Sequence, residues 1–100
     1  MKTLSILGST GSIGRSCLKV IEELPHDFRV VGLTAGSNAA LLAQQIGQFH
    51  PQVVSVSDTA AKETLNCRLK ELPPSRRPKV LTDQDGLTAV ATHPETDLVV

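Results

Sequence analysis

Three glycines spaced three residues apart, Gly8, Gly11 and Gly14, follow the apolar run Leu4-Ser5-Ile6-Leu7 and lead into a stretch of helical periodicity. A strand that turns through glycines into a helix gathers backbone N–H groups and the positive end of the helix at one point. That arrangement holds a phosphate or diphosphate. The three glycines divide the work: one for the tight turn, one for close approach of the phosphates, one for packing helix against strand. Thr10 and Ser12 add hydroxyl donors at the same mouth. The spacing G-x-x-G-x-x-G is a relative of the dinucleotide fingerprint G-x-G-x-x-G, whose meaning depends on a strand before it and a helix after it. Both are expected here. The plain alternative is a glycine-rich connection that binds nothing.

A second loop bears on which nucleotide such a turn would take. In folds that bind NAD, an Asp or Glu closing the second strand accepts the ribose 2′-hydroxyl. Here the corresponding stretch is Leu33-Thr34-Ala35-Gly36-Ser37-Asn38, without a carboxylate. Nothing in it repels a 2′-phosphate, Gly36 permits close approach, and Ser37 and Asn38 supply neutral donors. These features point to NADP(H) rather than NAD(H). Asn38 is also placed to cap the helix that follows, and capping is compatible with binding.

The elements that position these loops follow from periodicity and punctuation. We expect strands over residues 3–7, 28–34, 53–56 and 79–81, with another opening at Asp97-Leu98-Val99-Val100. Helices are expected over 12–24, from Asn38 to Phe49, over 59–72, and from an Asp83 cap to about Thr92. The first helix would turn Ile13, Cys17, Val20, Ile21 and Leu24 inward. Leu42, Ile46 and Phe49 would do so on the second, and Leu65, Leu69 and Leu72 on the third. Alternating strands and helices predict an α/β fold, a doubly wound parallel sheet of the Rossmann-like dinucleotide-binding kind. Ligands bind such sheets beyond the carboxyl ends of the strands, where strand order reverses, and both loops lie on that edge. An ending inside an apolar strand leads us to expect an incomplete domain over residues 1–100, truncated before a catalytic domain.

Composition narrows the class. The chain is 40% hydrophobic and 20% charged, enough to bury a core, and its apolar residues are nearly all aliphatic, as parallel strands require. Ten acidic and ten basic residues leave no net charge, so no global field draws nucleic acid or an anionic membrane. Cys17 and Cys67 are far apart and read as two buried thiols of a reducing compartment. With no signal-peptide core and no run of membrane-spanning length, a soluble cytoplasmic protein is expected.

Other residues that could do chemistry lack partners. His26, His50 and His93 are scattered through predicted loops, so no metal site is expected among them. Adjacent Glu22 and Glu23 point in different directions on a helix. Arg76, Arg77 and Lys79 form a short basic connector with no aromatic residue beside it, and neither Ser12 nor Ser16 sits in a nucleophile elbow.

Taken together, Ile6-Leu7-Gly8-Ser9-Thr10-Gly11-Ser12-Ile13-Gly14, Phe28-Arg29-Val30-Val31, Ala35-Gly36-Ser37-Asn38 and Phe49-His50-Pro51 resemble the 1-deoxy-D-xylulose 5-phosphate reductoisomerase family. The resemblance implies an NADPH-dependent enzyme of the non-mevalonate isoprenoid pathway. Such an enzyme rearranges its sugar-phosphate substrate with Mg²⁺ or Mn²⁺ and reduces the product to 2-C-methyl-D-erythritol 4-phosphate. By position, Thr10, Gly11, Ser12 and Ile13 correspond to pyrophosphate contacts. Gly36, Ser37 and Asn38 correspond to contacts at the adenosine ribose and 2′-phosphate, with Ser37 standing where some members have Lys. The resemblance further implies a homodimer, and places catalytic and metal-binding residues outside this segment. Two other readings fit the same opening turn: an extended short-chain dehydrogenase or epimerase, which would need a later Tyr-x-x-x-Lys pair, and a non-enzymatic NADP(H)-sensing domain.

Overall fold

A computed structural model describes residues 2–100, apart from the side chain of Gln84. Five strands form one sheet: β1 (Lys2–Ile6), β2 (Phe28–Thr34), β3 (Val53–Val56), β4 (Lys79–Thr82) and β5 (Leu98–Val99). All pairings are parallel and the spatial order is β4-β3-β2-β1-β5. The chain therefore steps outward from β1 to β4, then returns to lay β5 on the far side of β1. Strand order reverses between β1 and β5, as expected for a doubly wound sheet.

Right-handed crossovers put α1 (Ser12–Glu23), α2 (Ala39–Phe49) and α3 (Thr59–Leu69) on one face, and α4 (Asp83–Ala91), whose crossover moves back across the sheet from β4 to β5, on the opposite face. The first face carries the main core: Leu4, Ile6, Leu33, Val54 and Val56 from the strands meet Leu18, Ile21, Leu42, Ile46 and Leu65 from the helices. The second face is built from small side chains. Ser5, Gly32 and Ser55 line it, and α4 settles onto them through Gly86 and Val90. A Cβ on Gly86 would overlap the Ser55 side chain and stand 3.1 Å from Leu81 Cβ, so glycine is what lets this helix reach the sheet. The β1–β2 register slips by one residue between Leu4 and Ser5, which adds Val31 to β2 and brings Gly32 opposite Ser5.

Several expectations need correction. The inward face of α1 is Gly14, Leu18 and Ile21, with Cys17 half-buried, whereas Ile13 is 81% exposed and Val20 53% exposed. Close packing of Gly14 on the preceding turn sets the helix rotation, and hydrophobic spacing alone does not encode that contact. Asp83 does not cap α4. It is the first helical residue, with φ 58°, and Thr82 precedes it as N-cap without a side-chain hydrogen bond. Leu72 lies beyond α3, which ends at Leu69, and packs half-buried against the core. Cys67 is exposed, because Ala61, Leu65 and Leu69 define the buried side of α3 and position 67 faces away; both thiols are free.

Candidate functional site

The glycine turn leaves β1 at the reversal point of the sheet, with Leu7 N–H donating to Val100 O at 3.0 Å and so tying the turn's entrance to the end of the chain beside β5. Each glycine has a separate reason. Gly8 has φ 74°, a left-handed conformation that side chains resist. Gly14 faces Gly8 O and Ser9 Cα so closely that any Cβ would overlap backbone. Gly11 is different: φ −82° and ψ 176° suit any residue, and an added Cβ would stand at an ordinary 3.4 Å from Gly8 O. Nothing inside the fold requires glycine at position 11. Gly11 is exposed at the N-cap of α1, and apart from its chain neighbours and Gly8 O nothing stands within 4 Å of where its side chain would begin.

That start is electrostatically unfilled. α1 has no side-chain cap at Gly11 and no acidic residue in its first turn. Gly11 N–H is spent on Gly8 O at 3.1 Å, but the N–H groups of Thr10, Ser12 and Ile13 find no acceptor among the described residues. The first amides of a helix have no intrahelical partner and carry the positive end of its dipole. Three unpaired donors, two flanking hydroxyls and no competing carboxylate make an anion cradle at one end of a twelve-residue helix.

The turn is fixed from behind. Ser9 N–H donates to Thr34 O at 2.7 Å, and Gly8 N–H donates to Thr34 Oγ1 at 2.8 Å. Ser9 Oγ and O are both engaged by the Gln45 carboxamide of α2, at 2.7 and 2.8 Å. Thr34 ends β2, so the residue that holds the glycine turn also leads into the second loop.

In that loop, Ala35 N–H donates to Ser55 O at 2.9 Å and Gly36 O accepts from Ser57 N–H at 3.2 Å, so the loop is laced to β3 and the turn after it. Asn38 Oδ1 caps α2 by accepting from Leu41 N–H at 3.2 Å. The Asn38 Nδ2 amide and the Ser37 hydroxyl make no hydrogen bond among the described residues, and Gly36, Ser37 and Asn38 are all exposed. Between the two loops lies an open cavity of about 470 Å³, lined by Gly8, Thr34, Gly36, Ser57, Asp83 and Leu87 among others. Of the seven candidate residues, Gly36 lines it; Thr10, Gly11, Ser12 and Ile13 continue from its Gly8 wall, and Ser37 and Asn38 from its Gly36 wall.

Sequence reasoning missed four participants: Thr34, Gln45, Asp83 and Leu87. A signal for Gln45 existed, since it is a polar residue on the same helical stripe as Leu42 and Ile46. Thr34, Asp83 and Leu87 become part of the site only when strands and α4 are brought side by side.

A parallel sheet with a glycine turn opening at its reversal point defines an α/β domain of the Rossmann-like dinucleotide-binding kind. The chain belongs to the 1-deoxy-D-xylulose 5-phosphate reductoisomerase family, whose profile matches residues 4–100. The 1-deoxy-D-xylulose 5-phosphate reductoisomerase 1 of Bacillus thuringiensis subsp. konkukian (strain 97-27) is 48% identical over 100 residues, all of this chain and 25% of its own length. The reductoisomerase of Synechococcus sp. (strain CC9902) is 44% identical over 104 residues, again covering 25% of its own length. A crystal structure of DOX-P reductoisomerase in complex with NADPH, fosmidomycin and magnesium superposes with a TM-score of 0.89. It is 29% identical and covers 99% of this chain and 24% of its own. The chain thus spans about a quarter of the length of the curated relatives it matches. Of the three readings left open by the sequence, the match falls on the reductoisomerase.

Proposed function

We propose that this chain is the NADPH-binding segment of an enzyme that converts 1-deoxy-D-xylulose 5-phosphate to 2-C-methyl-D-erythritol 4-phosphate in isoprenoid biosynthesis. The observation that carries the reading is the pairing of unspent N–H groups at Thr10, Ser12 and Ile13 with a glycine, Gly11, that the fold itself does not need. A diphosphate fits both: it accepts from the amides and occupies the space a side chain would fill. The 2′-phosphate then meets Gly36, the Ser37 hydroxyl and the Asn38 amide, on a loop without a carboxylate to oppose it. Adenosine fills the cavity between the loops, against Leu87, with Asp83 offering acceptors to an exocyclic amino group. A structural relative solved with NADPH supports the same assignment.

When bound, NADPH supplies a hydride for reduction of a carbonyl carbon. The work of this segment is to bind and orient that donor: the amides fix the diphosphate, the second loop fixes the adenosine end, and the sheet holds both at one spacing. The family implies a divalent metal as well. Among the described residues no group of three His, Cys, Asp or Glu side chains converges to hold one, so these residues do not fit it. No helix of the described chain is long and apolar enough to cross a membrane. A cytoplasmic setting belongs to the same proposal and is supported by the two free thiols.

The test is oxidation of NADPH by the full-length protein with 1-deoxy-D-xylulose 5-phosphate and Mg²⁺, followed at the absorbance of the reduced coenzyme. Turnover that requires both substrate and metal is the expected result. A well-folded protein that never consumes NADPH refutes the proposal.

A further inference from the structure

Gln45 is 6% exposed, and Ser9, which it grips, is fully buried. Both ends of the Gln45 carboxamide are spent on that one residue of the glycine turn: Oε1 accepts from Ser9 Oγ at 2.7 Å, and Nε2 donates to Ser9 O at 2.8 Å. Because a carbonyl oxygen can only accept, Nε2 must be the atom facing Ser9 O. With Ser9 N–H held by Thr34 O at 2.7 Å, every polar group of Ser9 is committed. A side chain thirty-six positions away in sequence therefore dictates the orientation of the Ser9–Thr10 peptide plane.

The described chain contains no cis peptide bond, and in a trans peptide the carbonyl and the following N–H point in opposite directions. Holding Ser9 O toward α2 sends the Thr10 N–H away from α2, where it meets no acceptor among the described residues. We propose that Gln45 is a positioning residue that aims the Thr10 N–H at the diphosphate of the coenzyme. This rests on the NADPH reading above and deepens it. The advantage is preorganisation: a donor already aimed loses no rotational freedom when the anion arrives. A buried carboxamide engaged at both ends holds its partner more rigidly than one hydrogen bond does, since leaving either end unpaired in the core is costly.

The experiment compares two ligands on the full-length protein: NADPH, which carries the diphosphate, and adenosine 2′-monophosphate, which lacks it. Gln45→Met keeps the length and apolar stem of the side chain but removes both hydrogen bonds; Ser9→Ala removes one and leaves Nε2 on Ser9 O. The NADPH dissociation constant is expected to rise about tenfold in Gln45→Met and about threefold in Ser9→Ala. Affinity for adenosine 2′-monophosphate should stay within about twofold in both, since it makes no use of the aimed amide. Equal losses for both ligands would mean general loosening of the fold and would overturn the inference, as would wild-type NADPH affinity in a folded Gln45→Met. Where Gln45→Met does not fold, Ser9→Ala decides by the same ratio. A wild-type protein that binds adenosine 2′-monophosphate and NADPH equally poorly overturns the coenzyme reading itself, whereas tight NADPH binding unaffected by either substitution overturns only the role of Gln45.

Discussion

Replacing Gly11 by alanine separates binding from folding. The backbone at position 11, φ −82° and ψ 176°, is open to alanine, and the new methyl would meet Gly8 O at 3.4 Å, an ordinary contact. Restricting the unfolded chain stabilises by about 0.4–1 kcal/mol. Alanine is a poorer N-cap than glycine by several tenths to about 1 kcal/mol, so these effects nearly cancel. Stability should therefore change by less than about 1 kcal/mol. Binding should not escape so lightly. The methyl stands at the exposed N-cap of α1, beside its first amides, and losing one or two charge-assisted hydrogen bonds costs about 1.5–3 kcal/mol each. That range of about 1.5–6 kcal/mol amounts to a rise of roughly tenfold to more than ten-thousandfold in the NADPH dissociation constant. Calorimetric titration of NADPH, with a thermal melt of the same sample, reads both quantities. Gly14→Ala serves as the contrast, because its Cβ would overlap Gly8 O and Ser9 Cα and overpacking of this kind costs about 1–3 kcal/mol of stability. An unaltered NADPH affinity in Gly11→Ala, or a melting loss as large as that of Gly14→Ala, would refute the division of labour among the glycines.

Two further outcomes follow from the second loop and the second face of the sheet. Ser37→Asp puts a carboxylate where a 2′-phosphate would lie, so NADPH affinity should fall about tenfold or more while NADH affinity holds or improves; parallel fluorescence titrations decide it, and an unchanged preference removes this loop from coenzyme selection. Gly86→Ala gains about 1 kcal/mol of helix propensity, yet its methyl collides with Ser55 and crowds Leu81. With overpacking at about 1–3 kcal/mol, the net effect should be a lowered melting temperature, and a variant that melts higher would contradict the close seat of α4.

The strands were largely readable from the sequence because parallel strands buried on both faces are written as short aliphatic runs. β2 and β3 fall at the expected residues, and β1 and β4 differ by one at their ends. Asn38 as the cap of α2 was equally plain, since its side chain acts within three residues. What the sequence did not yield is what depends on contacts across the sheet. The inward face of α1 follows Gly14 onto the turn, so Leu18 is buried while Val20 is half out. Cys67 was expected inside but sits two residues from both Leu65 and Leu69, on the far side of α3. The left-handed backbone of Asp83 and its place in the cavity wall depend on how α4 lands on Ser55 and Leu81, which no local pattern announces. In the candidate site, residue types at the two loops were visible early; the groups that hold those loops still, Thr34 and Gln45, lie in elements whose patterns speak only of packing.

Thr34 acts as a caliper. Its carbonyl and hydroxyl grip the glycine turn, and two residues later Gly36 opens the second loop, with Ala35 N–H held by Ser55 O and Gly36 O by Ser57 N–H. The gap between the two jaws is thus metered by backbone hydrogen bonds to β3 and the turn after it rather than left to loop flexibility. Any lengthening of the chain between positions 34 and 36 would leave each jaw intact and set them to the wrong span, so a ligand anchored at both ends would be gauged by its length before any single contact is judged.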